Sequence, residues 1–256
     1  MKNFFRKVAF GLKPEEKAPS DPLTWAQKQV ETIPELNWKG KYILSEKEMR
    51  KYWITQRVEE NTTLRKKFKN DPQGLKIAEK LLAYDTGKKF WKSNEICMRH
   101  AEGIRSNTPV LAKLWYFWTN HFTISDTQSL ANFSTGAYQR EFIRANMDKK
   151  FETMAVDATI AWPMMMHLDN KDNVGPKSKS AKSEWRRREK RPATINENHA
   201  RELLELHTVS PKAGYTQEDI IELAKIMTGW RSKWTKKKDH GHNVSFDPEI
   251  HEPGKK

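Results

Sequence analysis

The pattern of hydrophobic and polar positions is helical along nearly the whole chain. Apolar residues recur at spacings of three and four, whereas the alternation of β-branched and polar residues that is typical of strands is nearly absent. Only 11 glycines interrupt the 256 residues. We therefore predict an all-α fold, an irregular multi-helix globular domain that spans residues 1–256.

Helix starts are marked by two kinds of local signal. A capping residue precedes a proline at Asp21-Pro22, Asp71-Pro72 and Thr108-Pro109. A capping-box pattern joins Ser45 with Glu48, Thr194 with Glu197, and Thr216 with Asp219. From these starts we predict helices over 22–32, 45–69, 72–84, 90–105, 109–121, 128–144, 147–157, 195–208 and 217–228.

The helices differ in how their apolar residues are distributed. The helix over 109–121 is apolar on nearly every face and is expected at the centre of the core. The segment 45–69 is polar with a thin apolar stripe and is expected on the outside. Two other segments lack a helical period: residues 171–191, a predicted exposed basic loop with a net charge of +6, and residues 231–256, a predicted irregular tail.

The composition narrows the classes of function. The chain has 47 basic and 33 acidic side chains and a net charge of +14, which favours polyanionic partners but also serves solubility alone. Its single cysteine, Cys97, excludes an intramolecular disulfide and a multi-cysteine zinc site. No apolar run approaches the ~18 residues that span a bilayer, and we find no export signal. A cytoplasmic protein without a transmembrane segment is expected.

The predicted helix over 195–208 carries the densest candidate chemistry. Asn198, Glu202 and Glu205 stand at i, i+4 and i+7 and therefore share a face of a regular helix. Arg201 stands four residues from both Glu197 and Glu205. Two carboxylates and an amide on one face can bind a cation, share a proton or fix a helix contact, and the sequence leaves these alternatives open.

Histidines extend this candidate site. His207 follows on the same helix, so Glu202, Glu205 and His207 are the candidate metal ligands, although no HExxH spacing is present. His121 ends the apolar helix, where a histidine more often caps the negative helix end than binds a ligand. Motifs of the commonest hydrolases, kinases and dehydrogenases are absent, and the sequence does not decide whether the chain is an enzyme.

Basic residues beside tryptophans form a candidate nucleic-acid surface. The segment TGWRSKWTKKK interleaves two tryptophans with five basic residues, as stacking platforms do, but a helix end with two anchoring tryptophans has the same pattern. The candidate residues are all basic and lie in the predicted loop and tail: Arg186, Arg187, Arg188, Lys190, Arg191, Lys236, Lys237 and Lys238.

The run NENHARELLELHTVSPKAGYTQEDIIELAKIMTGW resembles the signature of the bacterial family called domain of unknown function 1800. Further segments resemble that family in the same order: RKVAFGLKPEE, DPLTWAQKQV, LWYFWTNHFTIS, MMMHLDN and FDPEIHEPGKK. The residues that match the family pattern are His121, Asn196, Asn198, Arg201, Glu202, Glu205, His207, Tyr215, Thr216, Asp219, Thr228, Gly229 and Trp230. His167 and His199 stand where the pattern is not fixed on histidine.

The resemblance implies a mostly helical fold without a settled activity. Members of this family are often exported, and their genes often neighbour a second uncharacterised, sulfatase-like family, domain of unknown function 1501. Because members are typically longer, the chain is expected to cover only the N-terminal part of the family. A scaffold or assembly component with a polar Asn/Glu/Arg/His helix face and a protein partner is the first hypothesis. A metal-binding protein or metal-dependent enzyme is the alternative, and nucleic-acid binding is the third hypothesis.

Overall fold

The structure is a computed structural model that describes residues 2–38, 43–54, 59–85, 88–125, 132–183, 192–232 and 244–252. These residues are mostly helical, and one small antiparallel sheet accompanies the helices. The predicted helical fold class is confirmed. The chain divides into two compact units, one made of Met1–Thr123 and Phe133–Met154 and the other of Ile124–Asn132 and Ala155–Lys256. Whether they fold as one domain stays a prediction.

Most described helices lie within the predicted segments, but the helices Lys2–Val8 and Trp162–His167 and the two strands were not predicted, and the segment 45–69 holds two described helices instead of one. The helices before the middle of the chain are α1 Lys2–Val8, α2 Pro22–Lys28, α3 Glu46–Ile54, α4 Asn61–Lys67, α5 Pro72–Asp85, α6 Lys88–Arg105 and α7 Pro109–His121. The later helices are α8 Thr135–Tyr138, α9 Phe151–Ile160, α10 Trp162–His167, α11 Asn198–Glu202 and α12 Gln217–Met227. The strands are β1 Trp230–Ser232 and β2 Val244–Phe246. The π-helices Gln139–Ile143 and Leu203–Thr208 continue α8 and α11 without a break.

The predicted start signals at Asp21, Ser45 and Thr216 form the expected caps, whereas the one at Thr194 does not. Asp21 accepts hydrogen bonds from the amides of Leu23 and Thr24 at 3.1 Å. Ser45 and Thr216 form the predicted capping boxes, with Thr216 N donating to Asp219 at 2.7 Å. The box predicted at Thr194 is wrong, because the helix begins at Asn198.

The first unit packs around α7, as its apolar sequence predicts. Trp115 is buried, and its indole nitrogen donates to the carbonyl oxygen of Gln139 at 2.9 Å. Tyr138 is also buried and donates to the carbonyl oxygen of Phe122 at 3.2 Å. Each apolar ring thus brings its one polar atom to a backbone partner, as buried polar atoms require. One edge of α7 is nevertheless open, because Phe117 is exposed.

The prediction that segment 45–69 lies outside is wrong for α3. Met49, Glu46 and Arg50 are buried, and Arg50 Nε lies 3.0 Å from Glu46 Oε1. The backbone amide of Glu46 donates to Glu141 at 3.1 Å. The polar residues of this segment are therefore partly interior and paired, which a polarity pattern alone does not distinguish from an exposed face.

The second unit packs α11 against α12. Ala200 of α11 and Ile220, Ala224 and Met227 of α12 form a buried cluster, with Leu203 packed at its border. Small alanines at the contact let the two helices approach closely. This pair of helices carries most of the family signature, so the packing of α11 on α12 fixes where the candidate site residues lie.

The predicted exposed loop and irregular tail need correction where the structure describes them. Asn173, Val174 and Ser178 are buried, so part of the described loop is packed, whereas its basic residues Lys177, Lys179 and Lys182 are exposed as predicted. In the tail, Trp230 pairs with Phe246 in the two-stranded sheet, and Ile250 is buried. The tail also hydrogen-bonds to the loop, because Gly175 N donates to the carbonyl oxygen of Ile250 at 3.0 Å.

Candidate functional site

The helix that carries the candidate residues is not regular. It begins as α11 at Asn198 and changes into a π-helix over Leu203–Thr208, where the amide of Val209 donates to the carbonyl oxygen of Leu204 at 3.1 Å. A π-turn adds a residue to the turn and shifts the side chains that follow it. The i, i+4, i+7 face predicted for Asn198, Glu202 and Glu205 is therefore broken before Glu205.

Asn198 and Arg201 bind to neighbouring segments of the second unit. The amide of Asn198 donates to the carbonyl oxygen of Leu168 at 3.3 Å. Arg201 lies 2.5 Å from Glu197, as predicted, and also donates to Gln217 at 2.7 Å. The Arg201 hydrogen bond lowers the pKa of the Glu197 carboxyl, and the Glu197 partner raises the pKa of Arg201. Arg201 thus links α11 to the first turn of α12.

Glu202 and Glu205 lie on the half-buried side of the same helix. Among the residues that the structure describes, Arg201 forms its ion pair with Glu197 and not the second predicted pair with Glu205. Glu205 acts on its neighbours through charge: burial and the Glu205 carboxylate together raise the pKa of Tyr215. Beside these carboxylates, Leu206 is 62% exposed and Val209 is 48% exposed.

The candidate histidines lie in different surroundings. His207 is buried within the second unit. His121 belongs to the first unit, where its ring lies 4.7 Å from that of Phe122 and 6.1 Å from that of Phe151. Among the residues that the structure describes, no three histidine, cysteine, aspartate or glutamate side chains are grouped so that they could hold a metal ion. Metal binding at Glu202, Glu205 and His207 stays a prediction.

Sequence reasoning passed over His199, which the structure places at the centre of the second unit. The ring is fully buried, and within the described part of the chain neither ring nitrogen has a hydrogen-bond partner. Burial lowers the pKa of His199 to about 3, and the nearby His207 and His167 add to the effect. A signal for this was available, because His199 stands four residues from both Ile195 and Leu203 and so shares their apolar face.

An asparagine network that the sequence did not predict joins the 170s to both signature helices. Asn173 is buried and donates to Asn170 at 3.1 Å and to the carbonyl oxygen of Ala224 at 2.8 Å. The backbone amide of Asn196 donates to Asn173 Oδ1 at 3.0 Å. Asn170 in turn donates to the carbonyl oxygen of Trp230 at 3.1 Å. Each asparagine uses both its donor and its acceptor side, which suits a buried structural role.

The Thr-Gly-Trp end of the signature packs against the tail through hydrogen bonds and a close approach at Gly229. Thr228 Oγ1 donates to the carbonyl oxygen of Lys225 at 2.6 Å and accepts from the amide of Glu252 at 2.7 Å. His251 Nδ1 lies 2.8 Å from the carbonyl oxygen of Thr228. Gly229 has a φ of +97°, and a Cβ there would lie 2.7 Å from the ring of Phe246. The two matching segments are thus parts of one packed turn.

Other predicted features lie beyond what the structure describes. The nucleic-acid candidates fall outside the described residues: Arg186, Arg187, Arg188, Lys190, Arg191, Lys236, Lys237 and Lys238. None of the described helices is long and apolar enough to cross a membrane. The cytoplasmic location stays a prediction.

Comparison with known proteins identifies a family. The model of the family described as "Protein of unknown function (DUF1800)" matches residues 3–256. This match covers essentially the whole chain and does not bear out the expectation that the chain covers only the N-terminal part of the family. No curated protein and no solved structure matches the chain. The chain therefore belongs to the DUF1800 family of proteins of unknown function.

Proposed function

We propose that the chain is a non-enzymatic scaffold that assembles with a second copy of itself. The observation that carries this proposal is how the side chains of the signature helix, residues 198–208, are used. A catalytic hypothesis would place Asn198 and Arg201 in a site. Both instead form structural hydrogen bonds, Asn198 with the carbonyl oxygen of Leu168 and Arg201 with Glu197 and Gln217. The part of the helix left open to a partner is apolar and acidic.

The proposed contact surface is the assembly face, defined by Glu202, Glu205, Leu206 and Val209. Leu206 and Val209 are large apolar side chains exposed one turn apart, where they gain by leaving water. The two carboxylates stand on a chain whose net charge is +14. An acidic stripe on a strongly basic chain is complementary in charge to the surface of another copy, which directs contact to this face.

The test compares the mass in solution of the wild type with that of Leu206→Asp. A buried leucine contributes about 1.5–3 kcal/mol, and an aspartate in its place loses that apolar contact and must give up its water on burial. We expect the wild type to associate with rising concentration and Leu206→Asp to stay monomeric in light scattering. The matched control is Ile104→Asp, since Ile104 is 73% exposed on α6 and lies outside the face. A wild type that is monodisperse and monomeric at every concentration contradicts the proposal.

The metal-dependent alternative keeps its own test. Elemental analysis of the protein, purified without a metal-chelating tag, compares the wild type with Glu202→Ala. A near-stoichiometric metal that the variant lacks would favour a site at Glu202, Glu205 and His207 over the scaffold. Metal-free, folded protein in both cases would favour the scaffold.

The sulfatase-like family and nucleic acid are the other proposed partners. Binding of duplex DNA through the basic segments should weaken with salt, with a slope near −0.9 for each phosphate contact. Charge reversal within 186–191 should reduce that slope. A titration without salt-sensitive binding would remove the nucleic-acid hypothesis and leave the scaffold as proposed.

A further inference from the structure

Buried histidines gather where the signature helix meets the end of α10. His199 on α11 is fully buried, and neither of its ring nitrogens has a hydrogen-bond partner within the described residues. His167 is the last residue of α10, and its Nε2 lies 3.5 Å from the backbone amide of Ser125. A buried imidazole without partners is costly even when neutral, and far more costly when charged.

Within the described residues, the groups that face His199 offer it no counter-charge. From the end of α10 it is faced by His167, and from its own helix by His207, and both act on it as like charges. Asp169 acts on His167, where it partly offsets the effect of burial. Toward α11, helix α12 presents the apolar Ile220, Ala224 and Met227. A proton on His199 would therefore sit among apolar groups and other histidines.

Two side-chain hydrogen bonds join the start of the signature helix to the residues that follow α10. Asn198 Nδ2 lies 3.3 Å from the carbonyl oxygen of Leu168, and Asn196 Nδ2 lies 3.3 Å from the carbonyl oxygen of Asp169. Both are long for amide hydrogen bonds. Separation of α11 from α10 would let water reach the ring at the loss of these two bonds.

We propose that His199, beside His167, forms a histidine latch that holds α11 against α10 at neutral pH and releases it on acidification. The latch would act on the helix that also bears the assembly face, but it does not depend on the proposed self-association. Protonation of His199 would open the contact between α11 and α10.

The sign of the effect follows from linkage. The pKa of His199 falls from an ordinary 6.5 to about 3 in the closed state. The closed state is therefore fully stable above pH 6.5 and loses stability as the pH falls below it, because the open state binds the proton more strongly. For each pH unit below 6.5, His199 alone should raise the opening constant about tenfold.

Amide hydrogen exchange across α11 tests the latch directly. Opening constants, corrected for the intrinsic pH dependence of exchange, are measured between pH 7 and pH 5 in the wild type and in His199→Phe. We expect the slope with pH to fall by about one proton in His199→Phe, since phenylalanine keeps the ring volume but cannot be protonated. The control is His100→Phe, because His100 is an exposed histidine of the first unit and should leave the slope unchanged. Equal slopes in wild type and His199→Phe would overturn the latch.

A measurement on the wild type covers the case in which His199→Phe does not fold. The ring resonances of His199 are followed by NMR as the pH is lowered. The latch predicts that the closed-state signal does not titrate near pH 6.5 and instead loses intensity as the open state is populated. A smooth titration of the closed-state ring near pH 6.5 would overturn the proposal.

Discussion

The two compact units bury polar groups in different ways. The first unit buries charges in pairs: Arg50 with Glu46 at 3.0 Å, and Arg140 with Glu95 at 2.8 Å. The second unit buries mostly neutral groups, with asparagines, Thr228 and histidines in its interior, although Glu252 is buried there as well. Charged pairs depend on both partners being present, whereas neutral networks depend on each donor and acceptor finding its place. The comparison teaches that the two units should respond differently to the loss of one side chain and to pH.

The largest effect is expected from removing one partner of a buried pair in the first unit. Arg140→Met leaves the Glu95 carboxylate buried without the cation that lies 2.8 Å from it, which should reduce the free energy of unfolding by about 3–5 kcal/mol. The matched control is Arg65→Met, because Arg65 pairs with Glu79 on the surface and such pairs contribute about 0–1 kcal/mol. Urea unfolding measures both. Equal losses in the two variants would show that burial of the Glu95 pair does not matter.

A smaller effect is expected from the neutral network of the second unit. Asn173→Ala removes hydrogen bonds to Asn170, Ala224 and Asn196 and leaves their buried groups without partners. The expected loss of unfolding free energy is about 2–3 kcal/mol. Asn198→Ala is the comparison, since the exposed Asn198 makes one long side-chain donor bond and should cost no more than about 1 kcal/mol. Thermal unfolding distinguishes them, and a larger loss in Asn198→Ala would contradict the structural role given to Asn173.

Within the second unit, two glycines separate the effect of backbone strain from that of packing. Gly214 and Gly229 both have positive φ, but a Cβ at Gly214 meets nothing within 4 Å whereas one at Gly229 meets the ring of Phe246. Gly214→Ala should cost about 1–2 kcal/mol from backbone strain alone. Gly229→Ala should cost more, and urea unfolding of the two variants measures the difference. Equal costs would mean that the packing of the tail on this turn adds nothing.

The first unit should also depend on pH, through Glu46. Burial, opposed by Arg50, raises the pKa of the Glu46 carboxyl from 4.5 to about 7. Its contribution to stability is therefore complete below pH 4.5 and is lost as the pH rises through 7. The loss should not exceed about 1.4 kcal/mol for each pH unit. Unfolding of the wild type and Glu46→Gln between pH 5 and pH 8 measures it, and a wild type that gains stability relative to Glu46→Gln over this range would contradict the assignment.

The sequence predicts helix caps well where the cap depends only on four consecutive residues. The capping boxes at Ser45 and Thr216 form because the cap and its partner lie within one turn. The same pattern fails at Thr194, whose carbonyl oxygen accepts a hydrogen bond from Val174 and keeps the chain extended up to the start of α11. Contacts between distant segments therefore override a good local signal.

The candidate site was predicted in part. The Glu197–Arg201 pair follows from helical spacing and is present. The common face of Asn198 and Glu205 is not, because the π-helix changes the spacing within that very stretch. No pattern around Asn173 indicates a buried asparagine, since its partners Ala224 and Asn196 come from segments more than twenty residues away. His199 could have been found from its place between Ile195 and Leu203.

The central claim is that the signature helix supports assembly rather than chemistry. Sedimentation equilibrium on the double variant Glu202→Gln/Glu205→Gln tests it most directly, because the substitutions keep the side-chain shape and remove only the charge of the assembly face. The account predicts a folded protein whose self-association is weaker than that of the wild type. Self-association that is unchanged in the double variant would contradict the account.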